Sequence, residues 1–183
     1  MLTNILEKLR KLFSRRTYPD NASTLSSREL CALTDSIGLY FRKEIDLEPF
    51  LRGLVIRLVR LVGDVSFRTP DGWSITYEAI IDTGCPITVI PRSRWENIEH
   101  HMILPEASLG LGGGTVTGQL GEVTLRFRYN NDVSPPITIK AHLLDSDDRP
   151  LILGFEDILT DIRLVSDFAV DTAYLEFPYH IAE

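Results

Sequence analysis

The segment Ala79-Ile80-Ile81-Asp82-Thr83-Gly84-Cys85-Pro86-Ile87-Thr88-Val89-Ile90-Pro91 sets one carboxylate between two apolar, strand-like runs. A charge placed between would-be core segments is costly unless nearby donors stabilise it. Gly84 relieves the turn sterically and bares backbone N–H groups, and the Thr83 hydroxyl adds another local hydrogen-bonding group. A carboxylate held this way can pass protons as a general acid or base; the plainer reading is an Asx turn capped by its own side chain. By composition an Asp-Thr-Gly triplet arises by chance in about a few chains of this length per hundred. The triplet needs its surroundings to be read.

Other residue types with chemical potential give less. Asp171-Thr172-Ala173 has alanine where Asp82-Thr83-Gly84 has glycine, and it reads as a solvated turn of a terminal hairpin. Cys85 reads as a small buried thiol, with no Cys-His motif among His100, His101, His142 and His180. Adjacent His100 and His101 point in different directions on a helix or a strand, so they read as surface or loop residues rather than metal ligands. In Gly110-x-Gly112 the dinucleotide fingerprint fails at Thr115, and the chain has no Gly-Lys-Ser/Thr phosphate loop. Asp145, Asp147 and Asp148 read as a solvated loop. Neither a cofactor nor a metal is expected.

The elements that must position Asp82 are mostly strands. Val65 to Arg68 and Trp73 to Ile81 flank the turn cluster Pro70-Asp71-Gly72 and read as a hairpin. Ile87 to Ile90, Glu122 to Tyr129, Ile137 to Leu144, Arg163 to Phe168 and Ala173 to Phe177 are further strands; Pro91 to Ile98 and Phe155 to Leu159 read as short helices. Between Glu48 and Val62 the pattern fits a helix or a buried strand equally. Close-spaced strands with few helices imply a mainly antiparallel β domain.

The 183 residues suffice for one domain with an extension, and the net charge of −7 argues against a nucleic-acid-coating protein. That charge is uneven. Residues 1–16 carry five basic side chains and one acidic, a net +4, whereas residues 61–183 sum to −11. Leu2, Ile5, Leu6, Leu9, Leu12 and Phe13 recur at helical spacing, so the head reads as a basic amphipathic helix. It would dock on an anionic membrane surface, a partner or its own domain. Residues 17–27 read as a linker, and Ser26 with Glu29 opens a second helix running through Ile37 and stopping at Gly38. Two cysteines make no disulfide framework, which suggests a reducing, cytoplasmic setting.

In its context the Asp82-Thr83-Gly84 loop resembles the catalytic loop of aspartic peptidases, particularly the single-domain retropepsin-like family. Two later features agree in order. Leu109-Gly110-Leu111-Gly112-Gly113-Gly114-Thr115-Val116-Thr117-Gly118 looks like that family's glycine-rich flap hairpin, and Leu151-Ile152-Leu153-Gly154-Phe155-Glu156-Asp157-Ile158-Leu159 is similar to its apolar-apolar-Gly turn and short helix. The resemblance covers roughly residues 60–180. It implies a retropepsin-like β-barrel over residues 51–183, behind a mostly helical extension over residues 1–50.

The resemblance also implies an activity. An aspartic endopeptidase needs two carboxylates sharing a proton, and this chain carries one Asp-Thr-Gly, so a homodimer would bring Asp82 of each subunit together. By analogy Thr83 bonds across to the other subunit's loop, Gly84 permits close approach, and Ile152, Leu153 and Gly154 pack beneath the loop. Gly110, Leu111, Gly112, Gly113, Gly114 and Thr115 then form the flap over an extended polypeptide substrate. Cys85 departs from the family's usual Ala, Ser or Thr. A noncatalytic dimerisation or peptide-binding module on the same fold is the alternative.

Overall fold

The computed structural model describes residues 35–177. The expected basic helix, the linker and the start of the second helix lie outside them, as does His180. Twelve strands run in chain order: β1 (Asp35–Ile45), β2 (Arg57–Thr69), β3 (Gly72–Trp73), β4 (Tyr77–Ile81), β5 (Thr88–Ile90), β6 (His100–Leu111), β7 (Gly114–Tyr129), β8 (Asp132–Val133), β9 (Ile137–Leu144), β10 (Ile152–Leu153), β11 (Arg163–Asp167) and β12 (Thr172–Phe177). They join one mainly antiparallel system ordered β11-β12-β1-β2-β4-β10-β5-β9-β7-β6, with β3 paired on β2 and β8 on β7. The chain is therefore mainly β, as its alternating patterns require.

Alternation decides which face is core. Along β7, Val123, Leu125 and Phe127 are buried, and the residues between them face outward. They meet Val65 and Phe67 of β2, Ile139 and Ala141 of β9, and Leu175 and Phe177 of β12 in one cluster. Burial of this apolar area is the main stabilising term.

Two expectations need correction. The helix ending at Gly38 is not formed over residues 35–38, where β1 pairs Ser36 with Glu176 and Ile37 with Leu175 of β12. Long-range pairing overrides the local capping signal. Gly38 is there for space, since a Cβ would lie 2.6 Å from the Tyr129 ring. Strand β1 joins the sheet from Asp35 onward. His100 and His101 are exposed as expected, but they open β6 rather than sit in a loop.

The ambiguous stretch resolves into both alternatives in succession. A five-residue helix α1 (Leu47–Leu51) is capped by Asp46, whose carboxylate accepts from the Glu48 N–H at 3.2 Å. The strand β2 follows at Arg57. Of the two later helices, one is the single turn α2 (Arg92–Trp95). The other, Phe155–Leu159, is a distorted turn in which Asp157 takes φ 62°, a conformation Asp tolerates better than most residues.

Candidate functional site

Asp82 follows directly on β4, and the loop it opens returns as β5. These two strands are not neighbours, because β10 lies between them. It runs parallel to β4, with Ile152 beside Ile80 and Leu153 beside Ile81, and antiparallel to β5, with Ile152 beside Val89. The Asp82 N–H donates to the Leu153 carbonyl at 3.0 Å, and the Ile80 N–H donates to that of Leu151 at 3.0 Å. Asp82 is thus fixed at its backbone by a segment seventy residues away in sequence, the one expected to lie beneath it.

The far side of the loop is held as firmly. The Phe155 N–H donates to the Cys85 carbonyl at 2.8 Å and the Glu156 N–H to the Pro86 carbonyl at 3.0 Å. Between these contacts Gly154 presses on the loop, where an added Cβ would stand 2.4 Å from the Ile87 carbonyl carbon and 2.8 Å from the Thr88 nitrogen. Only glycine allows that approach. The Gly154 N–H donates to the fully buried Thr88 hydroxyl at 3.2 Å. Thr88 escaped the sequence reading as a functional position, though a lone hydroxyl in Ile87-Thr88-Val89-Ile90 was its signal.

Within the loop, Asp82 Oδ1 accepts from the Gly84 N–H at 2.8 Å. The Asx-turn reading therefore describes the local geometry. Asp82 is half-buried, and Thr83 and Gly84 are exposed. Two residues expected to meet a second subunit stand open to solvent at the end of a rigid support. The Cys85 side chain turns inward and its thiol donates to the Ile87 carbonyl at 3.1 Å. Burial raises the pKa of that thiol, with the Asp82 charge acting in the same direction, so it stays protonated and poorly nucleophilic at neutral pH.

The glycine-rich segment forms a hairpin of β6 and β7 pairing Leu109 with Val116 and Leu111 with Gly114. Gly112 and Gly113 make its two-residue turn at φ 59° and 81°, the positive values such a turn demands. Leu109, Leu111 and Val116 pack on Cys85, Val89, Leu144 and Ile152, which sets the hairpin against the Asp82 loop's own support. Gly110 and Thr115 face each other as an exposed pair. Gly118, the last residue of the glycine-rich segment, is buried against β9, where a Cβ would come within 2.1 Å of the Leu143 carbonyl oxygen. Its glycine serves close packing rather than opening.

Arg149 was not anticipated. Its guanidinium lies against the hairpin turn, within about 4 Å of where side chains at Gly112 and Gly114 would begin. Its Nε–H is buried and donates to no partner among the described residues, where its charge forms no ion pair. A shallow groove runs along the hairpin's base between Pro105–Ser108 and Thr117–Gly118, with Asp145 at its edge. It does not include Asp82.

The remaining expected positions fall away from the loop. Asp171 occupies the turn between β11 and β12 at φ 61° and pairs with Lys43 at 2.6 Å, so it is a surface ion pair. Asp147 accepts from the Ser93 N–H at 2.8 Å, which lowers its pKa and ties the acidic loop to α2. His142 is buried on β9 beside Val89, with Nε2 unpartnered, and burial depresses its pKa. Among the described residues no three metal-ligating side chains converge. No protein-family model matches the chain, and no curated protein is similar to it.

Proposed function

We propose that this protein is an aspartic endopeptidase of the retropepsin type, active as a homodimer on extended polypeptide segments. The observation that carries the reading is the support of the Asp82 loop: β10 threads between the two strands that enclose it and holds Asp82 by a backbone bond, and Phe155, just after β10, holds Cys85 by another. A loop so pinned fixes a carboxylate in advance of any substrate, which catalysis by positioned acid and base requires. The β6–β7 hairpin, packed on the same support and turned by Gly112 and Gly113, is the element that would cover a bound chain.

One Asp82 supplies half of the chemistry. A two-fold axis beside the exposed Thr83 and Gly84 would face it with the partner subunit's Asp82. The two acids would then share one proton, as in aspartic peptidases generally. The ionised member takes a proton from water as its oxygen attacks the peptide carbonyl carbon. The protonated member gives its proton to the carbonyl oxygen, and collapse of the tetrahedral species expels the amine with a proton returned from the pair. Cys85, inward and hydrogen-bonded to Ile87, leaves the exposed rim of the loop unobstructed.

The test compares wild type with Asp82→Asn in cleaving a denatured protein from acidic to neutral pH, alongside sedimentation at micromolar concentration. Cleavage that needs Asp82 and declines as the dimer dissociates on dilution is expected. Equal residual activity in both proteins, or full activity of a strict monomer, rejects the shared-acid mechanism. A dimer that binds unfolded chains without cutting them would instead make this a peptide-binding module.

A further inference from the structure

Beyond Tyr40 and Val62, β1 and β2 pair only with each other among the described residues, Phe41 opposite Leu61 out to Ile45 opposite Arg57. The hairpin closes through the Asp46 N–H on the Ile56 carbonyl at 2.9 Å, with α1 and residues 52–56 forming its end. This end is apolar and exposed. Leu47, Leu51 and Leu54 keep 67%, 77% and 59% of their surface, and Val55, Ile56, Leu58 and Val59 along β2 and its approach keep 49%, 39%, 38% and 44%. Contiguous exposed apolar residues of this extent mark a contact with something else.

The charges narrow the partner. Residues 42–60 hold five basic side chains and three acidic, a net +2, in a chain whose residues 61–183 sum to −11. Arg52 is tied to Glu48 at 2.7 Å, while Arg57 has no carboxylate partner among the described residues. Arginine stems can lie along an apolar contact with their heads held at its polar boundary. Exposure that peaks at the distal end suits contact end-on. A subunit interface would need a broad lateral face with charge depleted at its centre. Residues 1–16 add a separate basic amphipathic pattern of net +4, and stable peripheral binding takes two such weak signals. No helix of the described residues is long and apolar enough to cross a membrane.

We propose that the distal end of the β1–β2 hairpin inserts into the headgroup region of an anionic lipid bilayer. Leu47, Leu51 and Leu54 enter the acyl boundary, and Arg52 and Arg57 meet the lipid phosphates. The inference does not depend on the peptidase reading, since it concerns a different end of the molecule and no step of hydrolysis.

The test is flotation of the full chain with vesicles of phosphatidylcholine plus phosphatidylserine, and with phosphatidylcholine alone. Wild type should float with the anionic vesicles and far less with the neutral ones. The double variant Leu51→Glu/Leu54→Glu should lower partitioning by about tenfold or more, with melting temperature and sedimentation coefficient unchanged. A second variant, Leu51→Trp, should show a blue shift of indole emission when anionic vesicles are added. Absence of wild-type binding, undiminished binding of the double variant, or no emission shift overturns the proposal. So does a double variant that turns a dimer into a monomer while its vesicle binding stays intact, which would assign the hairpin end to a second copy of the chain.

Discussion

The Asp82 loop and the end of the β1–β2 hairpin are both turns at the margin of one sheet, and they are built in opposite ways. The loop is held by β10 and by the segment after it, with backbone bonds on both flanks and Gly154 pressed against Ile87. Among the described residues the hairpin end is closed only by local bonds, the Asp46 cap included, and it leaves its leucines in water. A site for bond-breaking chemistry needs a geometry fixed before the substrate arrives; a surface that meets a soft partner needs exposed apolar area and little else. The contrast lies in support, because both turns are short and both reach solvent.

The comparison breaks most readily at Asp82. Asp82→Asn should lower kcat/KM for a cleaved peptide by about a thousandfold, with an unfolding midpoint within experimental scatter of wild type, because the loop is held by its backbone. Loss of folding in that variant would mean that the carboxylate itself holds the turn. Gly154→Ala attacks the support instead. With backbone atoms of Ile87 and Thr88 inside 3 Å of the new carbon, urea denaturation should show a loss of about 3 kcal/mol, and activity should fall with it. An unchanged midpoint would show that β10 can move away from the loop.

Thr88→Val keeps the volume and removes the acceptor for the Gly154 N–H, leaving that donor buried without a partner. A cost of about 1–3 kcal/mol in denaturant unfolding is expected. The hairpin end should answer differently: Leu51→Glu/Leu54→Glu changes two exposed positions and should shift stability by only about 0.5 kcal/mol. A large loss there would show that these leucines pack on something in the free protein.

The smallest effect comes from His142. Burial holds its folded pKa below the ordinary imidazole value of about 6.5, so on acidification the unfolded chain takes up the proton first. Stability contributed by the neutral ring is whole above that value and declines as pH falls below it. His142→Gln should flatten the pH dependence of the melting temperature in this acidic window. The same slope in both proteins would assign it to the carboxylates.

Much of this fold could be read from the chain directly. The hairpin around Pro70-Asp71-Gly72, the strands through Phe127 and Leu143, and the turn at Gly112-Gly113 follow from period-two alternation and from residues that accept positive φ. What could not be read depends on partners distant in sequence. Asp35 to Gly38 carry a helix-like ending and yet form a strand, because β12 offers them a ladder some 140 residues later. Nothing local sets Gly118 apart from the other glycines of its cluster, yet it is buried against Leu143. Arg149 gave no local signal, since its position against Gly112 and Gly114 exists only once the hairpin has folded over it.

The sequence by itself determined that the chain is mainly β, that one carboxylate sits on a glycine turn between apolar strands, and that basic and acidic stretches are separated along it. These are local or compositional facts, set by side-chain alternation, steric freedom and charge. Tertiary structure alone decided that β10 would lie between β4 and β5 and fix Asp82, that Thr88 would receive Gly154, and that the leucines of α1 would find no cover in the described fold. The reason is physical: a strand's neighbours are chosen by backbone hydrogen bonding and burial across long separations, and neither is written in the residues beside it.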